Sequence, residues 1–268
     1  MAHPQIAVFA RLAENDAKPI RKVDGQKTML GRTMHSIAYD PLHDEFVVPQ
    51  QFGQAILTFR GDANGEEAPI RVIQGSKTRL RAPDHLAMDP VHGEIYVPDG
   101  DKVLVFDRLA TGNVAPIRVI EGPDTGLGAN IIGADPVNGY IIVWGNGGNR
   151  AGGNRIRIFD RMASGNVKPE IVISGPRNPD GPFAVYPPKK LIISPDRNGP
   201  EGLASADSYM GIWSYAQSGD QPPLWRIGGP HGTFLMPKGV TLDVKDQDII
   251  ITDKRLNSVL TFHFPQMF

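Results

Sequence analysis

The 268-residue chain is 40% apolar, and its 28 Lys and Arg are balanced by 29 Asp and Glu; bulk disorder is excluded, and no basic face of the kind nucleic acid or an anionic membrane demands is expected. No run reaches the ~18 apolar residues of a membrane span, the opening Met1-Ala2-His3-Pro4 lacks the basic and apolar regions of a secretory leader, and the absence of cysteine removes disulfides, thiolate metal centres and cysteine nucleophiles. Thirty glycines and 24 prolines mark a loop-rich chain without membrane insertion, whose compartment the sequence leaves open.

Read in chain order, the predicted elements repeat. Ile6 to Gly25 pairs an apolar run ending at Phe9 with a second run at Ile20–Val23. Ile37-Ala38-Tyr39-Asp40-Pro41 follows, and Ala55 to Gly75 then repeats the first passage around Phe59. Leu86 to Val97 carries Asp89-Pro90-Val91-His92-Gly93 between two short apolar runs. Val103-Leu104-Val105-Phe106-Asp107-Arg108 leads through Gly112-Asn113-Val114-Ala115-Pro116 into Ile117–Gly122, and Ile156 to Gly175 copies that passage. Met210 to Gly229 is a degraded copy, and Val259-Leu260-Thr261-Phe262 opens another. Phe9, Phe59, Phe106, Phe159, Tyr215 and Phe262 serve as anchor aromatics, recurring about every 50 residues.

Each period consists of short runs of Val, Ile, Leu, Phe or Tyr bounded by Gly, Pro, Asn or Asp, with no stripe at helical spacing. Asp-Pro followed by His-Gly, His-Asp or Asn-Gly is turn chemistry. One unit is therefore a four-stranded antiparallel meander, strands a to d, and sheets of that size at that period stack as propeller blades. The expected fold is all-β, a single β-propeller domain over residues 1–268. Strand c occurs six times but a, b and d five times each, so five blades are preferred, with six as the alternative. The ring is expected to close through Ile20–Val23 pairing with Val259–Phe262, leaving Ile6–Phe9 as an extra strand.

The run a, Asp-Pro, b, Asp, c, Phe resembles the NHL-repeat propellers, most clearly at Asp253–Asn257 into Val259–Phe262 and at Asn154-Arg155-Ile156 into Phe159. The resemblance covers essentially the whole chain. It implies that the loops joining d to a and b to c share one face at the mouth of a central channel.

Candidate ligand-binding residues on that face are His35, Asp84, His85, Asn130 and Lys238, just ahead of strand a, with Asp99, Asn146, Arg155 and Asp253 in the b–c loops. Asp40, Asp89, Asp135 and Asp243 read as turn-capping carboxylates, His43 and His92 as surface residues of the opposite turns, and Arg21, Arg71 and Arg118 as protection of an outer sheet edge. No Gly-x-Ser-x-Gly elbow or phosphate loop occurs. The expected function is a non-enzymatic binding scaffold presenting one loop face to a protein, a peptide or a small ligand. The alternative is a metal-dependent hydrolase or lyase with its site at the channel mouth, like the lactonase or amidating-lyase propellers. No cofactor is preferred. Zinc on His35, His85 and His231, or calcium on Asp99, Asn146, Asp196 and Asp253, are the chemistries these residue types allow.

Overall fold

The computed structural model describes residues 4–32, 34–145, 155–174, 181–196, 208–229 and 232–268. The protein is an all-β propeller of antiparallel blades, and its strands occur in the a-to-d order read from the repeat. It falls into two compact units, Met1–Glu121 and Gly122–Phe268.

The first unit opens with a two-stranded ribbon, β1 (Gln5–Val8) and β2 (Arg21–Asp24). Two complete blades follow. One is β3 (Ala38–Asp40), β4 (Glu45–Gln50), β5 (Ala55–Arg60) and β6 (Arg71–Gln74); the other is β7 (Ala87–Asp89), β8 (Glu94–Asp99), β9 (Lys102–Asp107) and β10 (Arg118–Glu121). The second unit holds β11 (Ala129–Asp135), β12 (Tyr140–Gly145), β13 (Arg155–Asp160) and β14 (Ile171–Ile173), then β15 (Ala184–Tyr186), β16 (Leu191–Asp196), β17 (Tyr209–Ser214) and β18 (Trp225–Gly228). To the fifth blade the described residues of this unit contribute β19 (Pro237–Asp243), β20 (Asp248–Asp253) and β21 (Ser258–His263).

One register runs through all of it. The second residue of strand b faces the anchor aromatic of strand c: Phe46 opposite Phe59, Ile95 opposite Phe106, Ile141 opposite Phe159 and Ile249 opposite Phe262. In the fourth blade the residue at this position is Trp213, opposite Ile192, and not Tyr215 as the sequence spacing suggests. Tyr215 lies beyond the strand and donates its buried hydroxyl to Asp135 at 2.6 Å. Trp213 is fully buried, and its ring occupies the space a side chain at Gly211 would need, a Cβ there lying 2.1 Å from the indole.

The a–b turns are built as their sequences require. Asp40, Asp89 and Asp135 are buried, and one oxygen of each accepts the two backbone amides that follow. The other oxygen takes His43, His92 or Asn138 at 2.8 Å, so the two histidines belong to the turns.

Within each unit, glycine in the c–d loop couples a blade to the sheet before it. Within the first unit Gly65 donates to Lys22 O and accepts from Asp24, and Gly112 does the same with Val72 and Gln74; within the second, Gly219 does so with Val172 and Ser174. These glycines have φ of 66°, 77° and 104°, a backbone region that L side chains rarely occupy. Asn113 and Asn166, each next to such a glycine, reach back to the amides of Lys77 and Asp124. The Gly-Asn dipeptide is therefore an inter-blade clamp.

Two expectations are corrected. Arg21–Asp24, expected against Val259–Phe262, takes β1 as its strand-c partner, in the register of every c–d pair, Val8 opposite Arg21 as Thr58 is opposite Arg71 and Val105 opposite Arg118. The first amide leading into strand d confirms the equivalence: Ile20, Ile70 and Ile117 donate to Val8, Thr58 and Val105, each at 2.8 Å. Ile6–Val8 thus supplies the edge that was expected from Val259–Phe262. Nor do the arginines guard an open edge. Arg71 and Arg108 both pair with Glu45, and Arg118 pairs with Glu94 at 2.8 Å, with the two strand-d arginines only 15% and 13% exposed. Arg21 donates to Gly61 O at 2.6 Å.

Candidate functional site

The loop entering β3 carries His35, and the loop entering β7 carries Asp84 and His85. These three of the sequence-predicted residues come together. His35 Nδ1 lies 2.6 Å from Asp84 Oδ1, and His85 Nδ1 lies 3.3 Å from Asp84 Oδ2. The two imidazole rings are 6.3 Å apart between centroids and tilted by 36°. One carboxylate is thus flanked by two imidazoles.

Two further bonds set this geometry. Next to His35, Ser36 Oγ donates to Leu86 O at 3.2 Å and accepts from Leu86 N at 3.4 Å, tying one loop to the other. Asp99, at the end of β8 and buried, accepts the amides of Arg81 and Ala82 at 2.5 and 3.3 Å. It fixes the start of the loop that presents Asp84 and His85. Asp253, the matching residue of β20, accepts the amides of Leu235 and Met236 at 2.8 Å each through one oxygen, and those of Arg255 and Leu256 through the other. Burial acts to raise its pKa, but the four amides together hold it below the usual carboxylate value. Both aspartates are loop anchors.

The trio's electrostatics are uneven. His35 is 58% exposed at its side chain, Asp84 33% and His85 16%. Burial lowers the pKa of His85 most; the Asp84 charge opposes this, and His35 adds to it. The 2.6 Å approach of a carboxylate oxygen selects the form of His35 with hydrogen on Nδ1, which leaves Nε2 for another partner. The Nδ1 of His85 is buried and lacks a well-aligned hydrogen bond. It sits in ion-pair range of Asp84 without the geometry His35 has.

The other predicted residues are placed elsewhere. Asn130 lies at a bulge of β11 between Ala129 and Ile131, and Lys238 at the matching bulge of β19 between Pro237 and Gly239. Arg155 is exposed at the start of β13. Asn146 and His231 lie outside the described residues. Among the described residues no three His, Asp or Glu side chains are arranged to hold a metal ion, and no helix is long and apolar enough to cross a membrane.

Arg157, on β13, was missed by sequence reasoning. It is buried, and its Nη1 donates to Gly145 O at 3.0 Å. Burial pulls its pKa below the usual arginine value, and the Arg155 charge adds to this. The signal was a break in pattern: the equivalent positions on β5 and β9 are Leu57 and Leu104. A cleft of about 290 Å³, lined by Ile6, Val8, Val23, Ile37, Tyr39 and Phe46 among others, flanks the ribbon and does not include the trio.

No family model and no curated protein matches the sequence. Among solved structures, the hydrazine synthase of Kuenenia stuttgartiensis is similar in fold, with a TM-score of 0.54 and 14% identity. The match takes in 87% of this chain and 66% of that one. At that identity the likeness shows a shared propeller fold and nothing finer.

Proposed function

We propose that this chain is a binding propeller of the NHL-repeat kind, a non-enzymatic scaffold that engages a protein, peptide or small ligand through the loops entering strand a, with His35, Asp84 and His85 at the contact. The observation that carries this reading is the shared carboxylate. Asp84 orients the His35 imidazole and lies in ion-pair range of His85, and the Nε2 of an imidazole fixed as His35 is fixed is a directed hydrogen-bond acceptor for a ligand N–H or O–H. Asp99 and Ser36 support the arrangement from behind, which is how a recognition site is held ready for its partner. Lys238 sits at the corresponding strand entry of the second unit and is proposed as a further ligand contact of the same kind.

The test exploits the absence of cysteine. Ala82→Cys places a single thiol on the exposed start of the Asp84 loop, and Val91→Cys places one in the opposite turn of the same blade, where Val91 is 62% exposed. Each variant is screened against a library of disulfide fragments. The reading predicts selective capture at residue 82 of fragments rich in N–H and O–H donors, lost when Asp84→Ala is added. Equal capture at the two positions, or capture indifferent to Asp84, contradicts it.

A further inference from the structure

Arg157 is a buried cation at a position where the repeat is otherwise uncharged. By register with strand d, the equivalent residues are Ala7 on β1, Leu57 on β5, Leu104 on β9 and Gly211 on β17. Leu260 of β21, two residues before its anchor aromatic, belongs to the same set. Arg157 lies between Val143 of β12 and Val172 of β14, and it is only 6% exposed. A guanidinium taken out of water is costly unless an opposite charge meets it. Among the described residues none does. There Arg157 makes one hydrogen bond, from Nη1 to Gly145 O at 3.0 Å. The charge acting on it is that of Arg155, and no carboxylate opposes it. Asp124, the acid of the turn ahead of β11, is taken instead by the side-chain amide of Asn166 at 3.0 Å.

The loop ahead of β11 makes room for this side chain. The loops entering β3, β7 and β11 each carry a 3-10 turn, Gln26–Thr28, Ser76–Thr78 and Pro123–Thr125, closed by a left-handed residue. That residue is Met29 at φ 58° in the first and Arg79 at φ 63° in the second, but Gly126 at φ 61° in the third. The conformation alone therefore does not demand glycine. The guanidinium does: a Cβ on Gly126 would lie 3.0 Å from Arg157 Nε and 3.7 Å from Nη2. The Nε–Nη2 edge, which grips an oxyanion through two parallel hydrogen bonds, thus faces the place where the other two turns carry a side chain. Two departures from the repeat, arginine for leucine on strand c and glycine for a side chain in the turn, fall in one blade and meet there.

We propose that Arg157 holds a small oxyanion, a carboxylate or a phosphate group, along its Nε–Nη2 edge beside Gly126. Arg155 stands two residues earlier on the same face of β13, exposed where Arg157 is buried, and adds a second positive charge. The anion supplies the counter-charge that the described residues leave out. The site is built entirely from residues of the second unit.

The experiment is calorimetric titration of the full chain with inorganic phosphate and, separately, with acetate, in chloride at constant ionic strength. Saturable one-to-one binding is expected for at least one of them, and thermal melting should rise with that anion's concentration. Tighter binding of phosphate assigns the site to phosphate groups, and tighter binding of acetate assigns it to carboxylates. Arg157→Leu, which restores the residue of β5 and β9, should weaken the affinity by about tenfold or more. Gly126→Met, which restores the residue of the first turn, should do the same by filling the space while the arginine remains. It decides the matter if Arg157→Leu does not fold. No saturable binding of either anion by the unaltered chain, or affinity and melting that respond to oxyanions equally in the variants, would overturn the proposal.

Discussion

At the residue scale, identical carboxylates do different work according to what surrounds them. Asp84 is one-third exposed and meets two imidazoles, whereas Asp99 is buried and meets two backbone amides. In the sequence both are simply acids in loops, so Asp99 and Asp253 were indistinguishable from ligand contacts until their partners were in place. This difference makes Asp99 a positioning residue for the trio. Asp99→Asn retains one acceptor oxygen but turns an NH2 group toward amide donors, which should cost about 1–3 kcal/mol of stability. It should also weaken fragment capture by the thiol of the Ala82→Cys variant when the two substitutions are combined. Denaturant unfolding and the tethering screen read the two effects. Unchanged stability and capture would show that the loop holds itself.

At the element scale, the repeat made the strands legible because each is short, apolar and closed by turn residues. The a–b turns could be read down to their capping aspartates, since an Asx turn is a local device written within a few residues. Inter-blade features were harder to see. The Gly-Asn clamp acts on the preceding blade, and in sequence it looks like loop filler. Its physical requirement is backbone conformation: a Cβ on Gly112 would meet nothing within 4 Å, yet φ is 77°. Gly112→Val should therefore destabilise the fold by about 1–3 kcal/mol through backbone strain alone, while Gly112→Asn, tolerated in that region, should cost distinctly less. Thermal melts of the two variants separate strain from crowding; equal losses would point to crowding.

At the scale of the whole molecule, repeat arithmetic gave the propeller and the five strand a–b units but misassigned the partner of Arg21–Asp24. Ile6–Val8 and Val259–Thr261 occupy equivalent positions in the repeat, so the sequence offers two strands of similar character for one edge. The candidate site was partly legible for the same reason: counting back from the strand-ending aspartates finds His35 and Asp84 as equivalent residues, but not that their side chains meet. That meeting is the central claim, and nitrogen-15 NMR of the histidine side chains across a pH titration tests it directly. The account predicts His35 with hydrogen on Nδ1, and His85 remaining neutral below the ordinary histidine value of 6.5 because burial disfavours its charged form. Asp84→Asn should release His35 to the ordinary mixture of tautomers. A His85 that titrates at the ordinary value of 6.5, with a His35 tautomer indifferent to Asp84→Asn, would contradict it.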